Sequence, residues 1–128
     1  MAHKIHLTFS DGDGQALVKG PYSQVCFQGE TIRERSGDAA FATHEDHQWE
    51  VDGKRFVRFD CDCRVLVHAT RIDGRRTQSY GPFDSFSAQD GVLFVNHHIF
   101  AFADRSLGDW YCHGDGFHWA VLTVEPAN

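Results

Sequence analysis

Short runs of alternating apolar and polar residues, separated by Asp-Gly dipeptides, extend along the whole chain. Residues 3–9 place Ile5, Leu7 and Phe9 on one face and Lys4, His6 and Thr8 on the other. In 63–72, Cys63, Val65, Val67 and Ala69 oppose Arg64, Leu66, His68 and Thr70. Period-two alternation is the pattern of a half-buried strand, whereas 117–124, apolar on both faces, reads as a covered one. The dipeptides Asp52-Gly53, Asp73-Gly74, Asp90-Gly91 and Asp115-Gly116 suit type I′ turns, whose two central residues need positive φ. Gly29-Glu30 and Asn96-His97 are suited to close further hairpins.

The pattern predicts strands near 3–9, 15–19, 22–28, 31–35, 48–51, 54–60, 63–72, 75–80, 83–88, 92–95, 98–104, 109–113 and 117–124. Residues 36–47 read as a long loop or one helical turn. The expected fold is all-β, or mostly β with one short helix, in a single β domain over 1–128. So many successive hairpins suggest an antiparallel meander that closes into a barrel or forms a strongly curved two-layer sheet. WEVDGKRFVRFD (49–60) faintly echoes LFVNHHIFAFAD (93–104). Two hairpins built under the same rules look alike, so this echo alone implies no duplication.

Composition sets the wider frame. The 128 residues are 41% hydrophobic, enough for one core without disulfides or metal. The first ten residues alternate and lack a signal-peptide stretch, and no run approaches a membrane span. The expectation is therefore a cytoplasmic protein whose Cys26, Cys61, Cys63 and Cys112 are reduced. A net charge of −6 disfavours nucleic-acid and membrane partners, although protonating all nine histidines would bring it to +3. Charge is uneven: seven Lys or Arg face three acids between Lys54 and Arg76, while the remainder is strongly acidic.

Candidate chemistry is sparse. Cys61 and Cys63 could offer two thiolates to zinc, but their face continues as Val65 and Val67, which reads as core. His44 and His47 have the spacing of a metal pair on a helix but no third ligand, and a solvated loop explains them. Adjacent strand residues point oppositely, so Cys112 and His113 do not pair. Asp11-Gly12-Asp13-Gly14 lacks the rest of a calcium loop. Trp110-Tyr111, beside a turn, is the one aromatic pair placed like a stacking platform.

In a meander, alternate turns share an end. The turns Asp52-Gly53-Lys54-Arg55 and Asp73-Gly74-Arg75-Arg76 would then gather Lys54, Arg55, Arg75 and Arg76 on one basic rim. Clustered guanidinium groups attract carboxylate or phosphate. The leading functional expectation is a non-enzymatic binding protein for a small anionic or amphipathic ligand, held by those four residues. A protein-interaction or homo-oligomerising module is the alternative, and a metal-dependent or hydrolytic enzyme using the histidines the second alternative. No catalytic residue, bound metal or cofactor is assigned.

Overall fold

A computed structural model describes residues 4–35, 37–71, 76–104 and 108–127. The first half of the chain forms β1 (Ile5–Ser10), β2 (Ala16–Tyr22), β3 (Val25–Gln28), β4 (Thr31–Arg33), β5 (Ala42–Glu45), β6 (Gln48–Val51), β7 (Lys54–Phe56) and β8 (Arg58–Cys61). The second forms β9 (Val65–Thr70), β10 (Thr77–Phe83), β11 (Phe86–Gln89), β12 (Val92–Val95), β13 (His98–Asp104), β14 (Asp109–Cys112), β15 (His118–Trp119) and β16 (Val121–Pro126). The fold is all-β, and among the described residues no helix is long and apolar enough to cross a membrane.

The strands form two antiparallel sheets. Sheet A runs β15-β14-β13-β12-β11-β8-β1-β2, and sheet B runs β10-β9-β16-β3-β4-β5-β6-β7. Shifting every strand number by eight converts one order into the other. The registers agree as well: Leu7 faces Lys19 as Val67 faces Tyr80, and Trp49 faces Phe56 as Trp110 faces Trp119. The chain is thus a tandem structural repeat. This corrects the sequence reading, whose echo lay in the wrong register. The repeat aligns Gly20-Pro21-Tyr22 with Gly81-Pro82-Phe83, each with a cis Gly-Pro bond. Gly20 has φ +130°, and a Cβ there would lie 2.6 Å from the Ile5 carbonyl oxygen.

The halves also exchange strands. β8 pairs with β1 and β11 in sheet A, while β16 enters sheet B between β9 and β3. A plain meander and a closed barrel are therefore both replaced by two layers. The predicted single strand 54–60 breaks at Val57 and passes between sheets. Alternation cannot foresee this, because a strand shows the same period in either layer. Residues 36–47 are corrected too: β5 and β6 are joined by a tight turn at Asp46 and His47, both with positive φ. Asp52-Gly53, Asp90-Gly91 and Asn96-His97 each close a hairpin with positive φ at both positions. Asp115-Gly116 lies in the connection between paired β14 and β15, whereas Asp73-Gly74 lies outside the described residues.

One core joins the layers. Phe27 is met edge-on by Trp49 at 6.2 Å and by Trp110 at 5.8 Å, two equivalent residues of the two halves. Phe59 stacks on it at 5.9 Å from the opposite sheet. Close packing forces complementary volumes: where one half has Phe9 and Phe27, the other has Ala69 and Ala88. That compensation hides the repeat from direct inspection of the sequence.

Candidate functional site

A cleft of about 230 Å³ with a mainly apolar lining lies between β10, the start of β13 and the β14–β15 turn. Phe83, Val95, Ile99 and Phe100 supply its apolar wall, and Tyr80, Cys112, Gly114 and Asp115 complete it. Ile99 is 48% exposed, which marks the mouth; Phe100 and Cys112 are buried. A hydrogen-bond chain runs along one side. Trp119 Nε1 donates to the Tyr80 hydroxyl at 3.2 Å, and that hydroxyl donates to Asp115 Oδ2 at 2.5 Å. Asp115 Oδ1 accepts the Phe117 backbone N–H at 3.0 Å, so the Asp-Gly turn and the cleft share one carboxylate.

Burial sets the ionisation of this wall. Desolvation raises the Tyr80 phenol above its ordinary value, and its hydrogen bond to Asp115 reinforces the shift. Burial likewise pushes the Cys112 thiol up to about 11, with the Asp115 charge adding to it. Cys112 therefore meets a ligand as a neutral thiol at neutral pH, a soft apolar surface without nucleophilic character.

The repeat supplies an internal comparison. At the equivalent place in the first half, Lys19 Nζ reaches Asp52 Oδ2 at 3.2 Å where the second half has Tyr80 and Asp115. Tyr22 lies flat on Phe41, ring centroids 4.5 Å apart, whereas Phe83 meets Phe100 at 5.8 Å and a steep angle. The first half packs this corner with a stacked pair and an ion pair; the second opens it with tilted rings and a hydroxyl.

Lys54 and Arg55 are not brought next to Arg76. Lys54 and Arg55 lie on β7, at one edge of sheet B, and Arg76 lies just before β10, at its other edge. Arg55 Nη2 approaches Glu45 at 3.9 Å, while the Arg76 guanidinium sits 3.9 Å from the centre of the Phe117 ring. Arg75 is outside the described residues. The sheet exchange is the reason: β7 and β10 are separated by six intervening strands of sheet B instead of adjoining in a meander.

The histidines and cysteines fall into other places. His44 is buried on β5, 4.8 Å from the Trp49 ring, not in a solvated loop. His68 bridges Ser79 and Glu125, at 2.8 Å to each. The order Ser–His–Glu has the connectivity of a hydrolytic triad. All three lie on the open face of sheet B and line none of the described clefts. Cys61 and Cys63 flank Asp62, and burial pushes Cys61 up to about 12, which opposes thiolate formation. All four cysteines are free thiols.

Comparison with protein families, with curated proteins and with solved structures finds no match for this chain. The cleft residues Tyr80, Phe83, Ile99 and Phe100 escaped the sequence reading, and Asp115 was read there as a turn residue. The shared Gly-Pro-aromatic motif was the available signal, because aligning the halves on it shows Lys19 replaced by Tyr80.

Proposed function

We propose that this chain is a non-enzymatic binding domain that takes a small amphipathic molecule in the cleft lined by Tyr80, Phe83, Ile99, Phe100, Cys112 and Asp115. The observation that carries the reading is the contrast between halves at one fold position. A stacked aromatic pair and an ion pair suffice to complete the corner in the first half. The second half keeps the same strand pairing but joins its strands by connections of different length, 96–97 against 34–41 and 113–117 against 52–53, and leaves an apolar recess beside a carboxylate. Apolar recesses with a few convergent polar groups are the usual form of a small-molecule site. A volume of about 230 Å³ suits a ligand of one ring and a short polar arm. The carboxylate favours a hydroxyl or ammonium donor and opposes an anion, so the amphipathic part of the sequence expectation is retained here and the anionic part is not.

The test uses benzylamine, benzyl alcohol and benzoate as probes, read by amide chemical-shift changes in the labelled protein. Benzylamine and benzyl alcohol are expected to move the resonances of Ile99, Phe100 and Gly114, benzylamine more strongly than benzoate. Asp115→Asn retains the turn's side-chain acceptor and should abolish the preference for the amine. If no probe moves these resonances at millimolar concentration, or if benzoate binds best, the reading fails.

A further inference from the structure

A second constellation lies at the opposite end of the β13–β14 hairpin. Asp104 and Asp109 face each other across its mouth, and His118 stands on the neighbouring strand β15, opposite Tyr111. Asp109 precedes Tyr111 by two residues, so its side chain shares the face of Tyr111 and His118. His118 Nδ1 is 3.1 Å from Asp109 Oδ1 and 4.0 Å from Asp104 Oδ2. One donor atom from each of the three side chains lies within 4.8 Å of the others. All three are half-buried, and each belongs to a paired strand, which restrains the backbone beneath it.

The repeat shows what this position holds in its other copy. The counterparts of Asp104, Asp109 and His118 are Glu45, Gln48 and Arg55, in matching register on β5, β6 and β7. There the guanidinium of Arg55 lies 3.9 Å from the Glu45 carboxylate. The first half thus places a positive charge, carried by its own side chain, against the carboxylate at this corner. In the second half the residue that carried the charge is an imidazole, and both flanking positions are carboxylates.

From this convergence and this exchange we infer that Asp104, Asp109 and His118 bind one divalent cation of borderline character, of the class of zinc or cobalt(II). One imidazole nitrogen and two carboxylate oxygens are a donor set suited to such ions. Bonds of about 2.0–2.2 Å around a tetrahedral or octahedral ion hold neighbouring donors about 3–3.5 Å apart. The His118–Asp109 separation already matches, and Asp104, 4.0 Å from His118, has to move closer to complete the set. Three protein ligands leave the remaining positions to water, consistent with the partial exposure of the site. The site is remote from the cleft and does not depend on the proposed ligand.

The experiment titrates chelator-treated protein with cobalt(II) and with zinc near neutral pH. Visible absorption reads the cobalt coordination, and calorimetry reads zinc stoichiometry. One ion per chain is expected, with the affinity falling at least about tenfold in Asp109→Asn and in His118→Ala. His118→Arg restores the first-half residue; it is expected to fold and to lose the ion, so loss of binding is separated from loss of structure. A Cys61→Ser, Cys63→Ser double variant should bind as the parent does. No saturable binding by the parent, binding that survives His118→Arg, or binding lost only in the cysteine variant would each overturn the assignment.

Discussion

Gly91→Ala, alone and combined with His44→Ala, tests how the two layers fit at the β11–β12 turn. Gly91 has φ +81°, and a Cβ there would lie 2.5 Å from Nε2 and 2.7 Å from Cε1 of His44. The imidazole has little room to retreat, because it is buried against Trp49, itself fully buried. Two costs add in the single variant. The left-handed backbone costs an alanine about 1 kcal/mol, and overpacking costs about 1–3 kcal/mol, so a loss of about 3 kcal/mol is expected. His44→Ala alone removes a buried ring and should cost about 2 kcal/mol. In the double variant the collision is gone while the backbone strain remains, so the two losses should fall short of additivity by about 1–3 kcal/mol. The other half carries Glu30 in place of Gly91 and Ala103 in place of His44, but Glu30 lies outside the left-handed region, so the strain is particular to Gly91. Urea unfolding monitored by tryptophan fluorescence gives all four free energies, provided the denaturant slope is unchanged. Additivity within about 0.5 kcal/mol would refute the argument, and so would a Gly91→Ala protein as stable as the parent.

Further outcomes follow from other parts of the fold. Tyr80→Phe should cost about 1–2 kcal/mol in urea, because it leaves the Trp119 indole N–H without its acceptor; an unchanged midpoint would show that this link carries no stability. Phe102→Thr copies Thr43, its equivalent in the first half, and should cost under about 1 kcal/mol, since Phe102 is 37% exposed; a loss above about 3 kcal/mol would place that ring in the core. Stability should fall as the pH rises above 9, because Cys112, pushed up to about 11, and Cys61, to about 12, keep their protons in the folded state after unfolded thiols have lost theirs. The proton count then favours unfolding, by about 2 kcal/mol per thiol once partial solvent access is allowed for, and Cys112→Ala should flatten the decline. A thiol reagent under denaturing, non-reducing conditions should count four groups per chain; two or none would indicate disulfides.

Much of the local structure was legible in the residues. Alternation in IHLTFS and VLVHAT marked β1 and β9, and the same faces are buried as the period required. Asp-Gly and Asn-His dipeptides marked hairpins because only a few residue types accept positive φ at low cost. Such signals are local: a dihedral preference or a two-residue period acts within one element. The ATHE segment of β5 was missed because Asp46-His47 is an unusual pair for a type I′ turn, and its histidine suggested chemistry in place of geometry.

What the chain does with those strands was settled by packing between distant segments. Lys54 and Arg55 were expected to meet Arg75 and Arg76 because successive hairpins adjoin in a meander. The passage of β8 into sheet A and β16 into sheet B instead leaves Arg76 at the far edge from β7. No local preference distinguishes these routes, since each satisfies the same backbone hydrogen bonds and buries the same faces. The choice rests on how Phe27, Trp49, Trp110 and Phe59 fill one interior between two copies of a motif. The candidate sites have the same origin. Tyr80 with Asp115, and Asp109 with His118, are joined only because sheet pairing and the meeting of sheet edges bring them within reach. The sequence by itself determined the strands, their buried faces and most of their turns, because these depend on neighbours along the chain. Which strands became neighbours, and hence which side chains could act together, was decided by the tertiary structure, because close packing selects among pairings that local chemistry leaves equal.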